Sequence, residues 1–225
     1  MSRRPPMSRK PPAVLVTGFE PFDADPINPS QEIARALDGE IVAAHRVVGA
    51  TLPTEFARAL PAMELLIDKH RPTLVLALGL AGGSAGLSLE RVAINLIDAR
   101  IADNAGEQPV DVAVVENAPN AYFSTLPIKA MLARLREAGV PAQISHSAGT
   151  FVCNQVFFGL AHLLAARHPQ VRGGFVHVPW LPAQATRHGD APHLTLDSML
   201  AAVRLCLETA LITPADVHYA AGTLQ

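Results

Sequence analysis

Three short segments of this chain, residues 13–18, 73–78 and 174–178, are apolar at almost every position. A strand with one face in water alternates apolar with polar residues, so a strand that is apolar throughout must be covered on both faces. The segments between them carry helical spacing instead. Phe56, Leu60, Met63, Leu66 and Ile67 form one stripe along residues 54–69. Similar spacing predicts helices over 31–37 (opened by Asn28, Pro29 and Ser30), 128–138, 154–166 and 194–210. Further strands are expected at 41–48 and 142–145, and a half-exposed one at 87–96, where polar and apolar residues alternate. Strands and helices in alternation specify an α/β fold with a largely parallel sheet and helices on both faces.

No repeat and no linker divides the 225 residues, so residues 13–225 are expected to form one α/β domain. Hydrophobic residues make up 49% of the chain and charged ones only 17%, enough apolar side chain for a large core. Residues 1–12 differ: they hold four prolines and the cluster Arg3, Arg4, Arg9 and Lys10, and they read as a disordered leader, with Met7 as a second candidate start. The net charge of −2 leaves no basic face for nucleic acid or an anionic membrane. No run approaches eighteen apolar residues, so no membrane helix is expected. Two cysteines make no disulfide framework and point to a reducing cytoplasm.

Ligands of open α/β sheets bind beyond the carboxyl ends of the strands. Four loops fit that position: 18–29, 79–86, the turn before Cys153, and 179–184. Cys153 stands where an irregular segment gives way to a helix, and His177 lies in the apolar strand 174–178. Free N–H groups at a helix N-terminus favour a thiolate, and a histidine can take its proton. The plain alternative is that both are core residues, since free cysteine is often buried. Cys206, between Leu205 and Leu207, reads as such an inert core thiol. Glu90 and Arg91 interrupt the strand 87–96. They are either an ion pair of neighbours, or an acid that orients His177 beside a cation that faces an oxyanion.

The glycine-rich stretch 79–86 lacks the GxGxxG spacing and the lysine of a phosphate loop, and reads as a turn allowing close backbone approach. Nine histidines include no HExxH pair, and His162/His168 and His188/His193 lack ligand companions, so no metal is expected. Phe19 and Phe22 fall in a segment read as a loop, where they are either packing or the walls of a small flat pocket.

The runs at 14–22, 27–30, 90–95, 98–101, 148–154 and 175–179, in this order, resemble pyrrolidone-carboxylate peptidases, the type I pyroglutamyl peptidase family of cytoplasmic cysteine peptidases. The resemblance spans residues 13–210. It implies a single-domain three-layer α/β/α sandwich around a twisted sheet, no cofactor, and homodimers or homotetramers. It also implies removal of N-terminal pyroglutamate from peptides through a thioester acyl-enzyme. The family triad falls on Cys153, His177 and Glu90. Phe19 and Phe22 would sandwich the lactam ring, Asn28 would shape the pocket, and Arg91 with the Cys153 N–H would stabilise the oxyanion. Leu80 stands where the family would have glutamine. Two rival readings stay open: a cysteine hydrolase for another N-terminal cap, and a non-catalytic binding protein of the same fold.

Overall fold

The computed structural model describes residues 10–222. Of the leader, residues 1–9 lie outside the described residues; Pro12 accepts a hydrogen bond from the Arg46 N–H at 2.8 Å. Seven strands form the main sheet: β1 (Ala13–Phe19), β2 (Ile41–Val42), β3 (His45–Leu52), β4 (Leu74–Leu80), β5 (Leu87–Glu90), β8 (Ala142–Ser145) and β9 (Arg172–Val178). Their order is β2-β3-β1-β4-β9-β5-β8. The pairs β1–β3, β1–β4, β4–β9 and β5–β8 are parallel, whereas β2–β3 and β5–β9 are antiparallel. A separate antiparallel pair joins β6 (Val92–Ile94) to β7 (Ala121–Phe123).

Six helices complete the chain: α1 (Pro29–Leu37), α2 (Phe56–His70), α3 (Ile128–Glu137), α4 (Val152–Arg167), the short α5 (Pro182–Ala185) and α6 (Leu196–Ile212). The two-residue period of a strand sends neighbouring side chains to opposite faces. Val14 and Val16 of β1, with Leu74, Leu76 and Leu78 of β4, therefore meet Ile33, Met131 and Val203 of α1, α3 and α6. Leu15 and Phe19, with Val75 and Ala77, meet Met63 and Val156 of α2 and α4 on the other face. Those two clusters make the layers of an α/β/α sandwich, and full burial of each such aliphatic side chain stabilises by about 1.5–3 kcal/mol.

Three expectations need correction. Residues 41–48 are two strands joined by a two-residue turn, Ala43 and Ala44, both with positive φ (44° and 63°). Residues 87–96 belong to two sheets, and all four residues of β5 are buried between β9 and β8. The alternation there is real, but Ser88 accepts from the Gln143 side chain of β8 and Glu90 pairs with His177 of β9, so both are buried instead of facing water. Phe19 is the last residue of β1 and 2% exposed, so it belongs to the core and not to a loop.

Candidate active site

α4 begins at Val152, two residues before the start expected from spacing, which makes Cys153 its second residue. The turn before it is tied to a distant loop: Asp98 N–H donates to the Thr150 carbonyl at 3.0 Å, and Thr150 Oγ1 donates to the Asp98 carbonyl at 2.7 Å. Asn154, fully buried, accepts from Ile94 N–H and donates to the carbonyls of Ile94 and Leu96. Gln155 donates to the Phe56 carbonyl at 2.8 Å. The start of the helix, and Cys153 with it, is thereby held from three sides. N–H groups of a first helical turn have no partner within the helix, and the Cys153 N–H is one of these.

β9 carries His177 at its carboxyl end, next to Gly79 of β4 in the parallel register and opposite Ser88 of β5. His177 Nδ1 lies 2.8 Å from Glu90 Oε1, with both side chains buried. That contact leaves Nε2 free on the side of Cys153, whose sulfur rests against Gly79, the β4 neighbour of His177. Burial alone disfavours the imidazolium, but the hydrogen bonds and charges of Cys153 and Glu90 outweigh it, and His177 is raised from 6.5 to about 10. Three residues separated by 63 and 24 positions in the chain thus meet at one strand end, and the Glu90–Arg91 neighbour pair gives way to a Glu90–His177 pair. Gly79 explains how the sulfur fits. A Cβ there would lie 2.9 Å from Cys153 Sγ and 2.8 Å from Phe175 Cζ, so only glycine leaves room.

Arg91 does not join the site. The residue after Glu90 leaves the strand on the opposite side, and its side chain lines a cavity of about 400 Å³ with Ser124, Lys129 and Asp216. Asn28 is 1% exposed and caps α1: its Oδ1 accepts from Ser30 N–H and Oγ, and its Nδ2 donates to the Glu20 carbonyl. It shapes the 20–28 loop from behind. Phe19 packs at 6.4 Å from Phe175, whose ring is 4.9 Å from His177. Phe22 is half-buried, 6.1 Å from Phe151 at the start of α4, and it lines a cavity with Leu80 and Trp180. Gly79 and Trp180 were not singled out in the sequence. Gly79 stands in the glycine-rich stretch, but no local pattern marks it as the neighbour of a thiol 74 residues later.

A thiol at a helix N-terminus, a histidine at a strand end and a buried carboxylate behind it form the catalytic arrangement of a cysteine hydrolase. Among the described residues no three His, Cys, Asp or Glu side chains group as a metal site. The profile of the family described as "Pyroglutamyl peptidase" matches residues 12–213, and the chain belongs to that family. The pyrrolidone-carboxylate peptidase of Cupriavidus taiwanensis is 57% identical over 216 residues, covering 95% of this chain and 100% of that one. The namesake from Bacillus cytotoxicus is 46% identical, covering 93% and 98%. The crystal structure of pyroglutamyl peptidase I from Bacillus amyloliquefaciens superposes with a TM-score of 0.91 at 39% identity, over 93% of this chain and 100% of that one. That of the Thermococcus litoralis pyrrolidone carboxyl peptidase gives 0.90 at 37% identity, over 93% and 99%.

Proposed function

We propose that this chain is a cysteine peptidase that releases N-terminal pyroglutamate from peptides, with Cys153 as nucleophile, His177 as base and acid, and Glu90 as the orienting carboxylate. The observation that carries this reading is the buried Glu90–His177 pair at 2.8 Å, in contact with a thiol in the first turn of α4. His177 takes the Cys153 proton, and the thiolate adds to the exocyclic carbonyl carbon of the pyroglutamyl residue. The resulting oxyanion is stabilised by the free Cys153 N–H at the helix start, not by Arg91. Imidazolium His177 then protonates the departing amine as the C–N bond breaks. A water, deprotonated by His177, cleaves the thioester and frees pyroglutamate. Phe22 and Leu80 would touch the lactam, while Phe19 and Asn28 support them from behind. We further propose work in a reducing cytoplasm, which suits a free, half-exposed Cys153, and assembly into homodimers or homotetramers.

The test is hydrolysis of pyroglutamyl-aminomethylcoumarin beside its prolyl and glutamyl analogues. Wild type should cleave the first at least about a hundredfold faster than the others. Cys153→Ser should lower kcat by about a thousandfold or more with an unchanged circular dichroism spectrum. Iodoacetamide should label Cys153 and spare Cys206, which is 1% exposed and whose thiol burial pushes up to about 12. Equal rates on the prolyl substrate would mean a different cap, and no turnover of any would mean a binding protein.

A further inference from the structure

Phe22 stands at the tip of the 20–28 loop, and the ends and tip of that loop are held differently. The ends are tied by several hydrogen bonds. Glu20 N–H donates to the Leu52 carbonyl, Thr54 Oγ1 and Asn28 Nδ2 donate to the Glu20 carbonyl, and Asn104 Nδ2 donates to the Pro21 carbonyl. The tip is left-handed at two successive residues that are not glycine, Asp23 (φ 54°) and Ala24 (φ 57°), a conformation that L side chains disfavour. One backbone bond closes it, from the Asp25 N–H to the Phe22 carbonyl at 3.1 Å. Such a turn keeps its shape only where something outside it holds it.

Asp25 supplies that hold. Among the described residues it is the only side chain of 22–26 that makes a hydrogen bond, and both its oxygens reach the segment after β9. Oδ2 accepts from Gln184 Nε2 at 2.6 Å, and Oδ1 accepts from Arg187 at 2.6 Å, partners 159 and 162 positions later. Gln184 is fully buried, and its amide can point only one way. The Leu181 N–H can only donate, so Oε1 faces it at 3.0 Å. The amine therefore faces the loop, where it also meets the Ile27 carbonyl at 3.2 Å. Leu181 follows His177 by four residues, so the loop tip is tied to the exit of the strand that carries the proposed base. The two halves of the tie are unequal. Arg187 is half exposed, and an ion pair in water contributes little. The Gln184 amine is buried, and losing an acceptor there leaves a donor unsatisfied.

We propose that Asp25 is a positioning residue: through the buried Gln184 amide it clasps the tip of the 20–28 loop to the exit of β9, and so holds Phe22 for the lactam ring. The proposal rests on the peptidase reading above, in which Phe22 touches the lactam. The ring itself takes no part in bond making or breaking at the exocyclic carbonyl. Contact with it is equal in ground state and transition state, so a loosened Phe22 shows in KM and not in kcat.

The test measures kcat and KM on pyroglutamyl-aminomethylcoumarin for the wild type, Asp25→Ala, Asp25→Asn, Phe22→Ala and the double variant Phe22→Ala with Asp25→Ala. Asp25→Ala should raise KM about tenfold, with kcat per folded molecule within about threefold of wild type. Asp25→Asn keeps an acceptor for Gln184 and should raise KM by less than about threefold. In the Phe22→Ala background, adding Asp25→Ala should change KM by less than about twofold, because a residue that acts through Phe22 then has nothing left to hold. Four results would each overturn the clasp: an unchanged KM in Asp25→Ala, a loss confined to kcat, an Asn variant as impaired as the Ala one, or effects that multiply in the double variant. All four presuppose turnover by the wild type. A wild type without turnover would instead overturn the peptidase reading, and the clasp with it. Partial misfolding lowers the apparent kcat and leaves KM unmoved, so it cannot imitate the expected result.

Discussion

Glu90 and Arg91 are adjacent in the chain and opposite in the structure. One side chain enters the protein to meet His177, and the other lines a cavity beside the start of α3. Sequence spacing supports either a neighbour ion pair or a role for both at one site, and only the pleat of β5 decides between them. The pairing has a consequence for pH dependence. His177 is raised from 6.5 to about 10, so the folded protein holds this proton more tightly than the unfolded chain. The stabilisation it contributes is full below about 6.5 and is lost as pH climbs through about 10. The imidazolium is also the acid that protonates the leaving amine, so the alkaline limb of kcat/KM should lie well above neutrality. Glu90→Gln removes the carboxylate charge and leaves burial, which opposes protonation, less well countered. That limb should therefore move to lower pH by at least about one unit, with part of the activity retained at its new optimum. An unmoved limb in a folded Glu90→Gln protein would remove Glu90 from its orienting role.

At the scale of elements, most strands and helices were legible because their periods differ so clearly. The failures have local physical causes. The 41–48 run is apolar enough for one strand, but Ala43 and Ala44 make a tight turn with positive φ and no glycine or asparagine to announce it. Alanine in this conformation costs about 1–2 kcal/mol per residue. The double change Ala43→Asn with Ala44→Gly should stabilise the protein by about 1 kcal/mol, net of the backbone entropy that glycine loses. For a chain of this size that raises Tm by about 2–4 °C, measurable by calorimetry, and an equal or lower Tm would argue against a strained turn. The start of α4 was missed by two residues because no side chain caps it: Phe151 occupies the cap position without such a hydrogen bond. The Asn154 and Gln155 side chains tie that end to the end of β6 and the start of α2 instead.

For the whole molecule, several large apolar side chains stand in water: Leu65 is 70% exposed, Phe123 71%, Ile212 67% and Val110 59%. Single exposed apolar residues scattered over α2, β7, α6 and a loop are ordinary and by themselves require no partner, so the assembly proposed above needs a direct test. Light scattering behind size exclusion should give two or four times 23.9 kDa, and Phe123→Lys or Leu65→Lys should shift the mass downward if its residue lies at an interface. A strictly monomeric wild type at micromolar concentration would refute the assembly.

Periodicity, apolar runs and the placing of Cys153 at a helix start are local properties, and the sequence alone determined them, together with the α/β class and the family resemblance. Which polar residues meet is not local. Glu90, Cys153 and His177 come from β5, α4 and β9, and their contact depends on the order of the strands in the sheet, which no spacing reveals. The same is true of Gly79 beneath the sulfur, of Trp180 beside Leu80, and of Arg91 on the far side of β5. A strand's period states that two neighbours face apart; only the packed sheet decides which of the two faces holds the site.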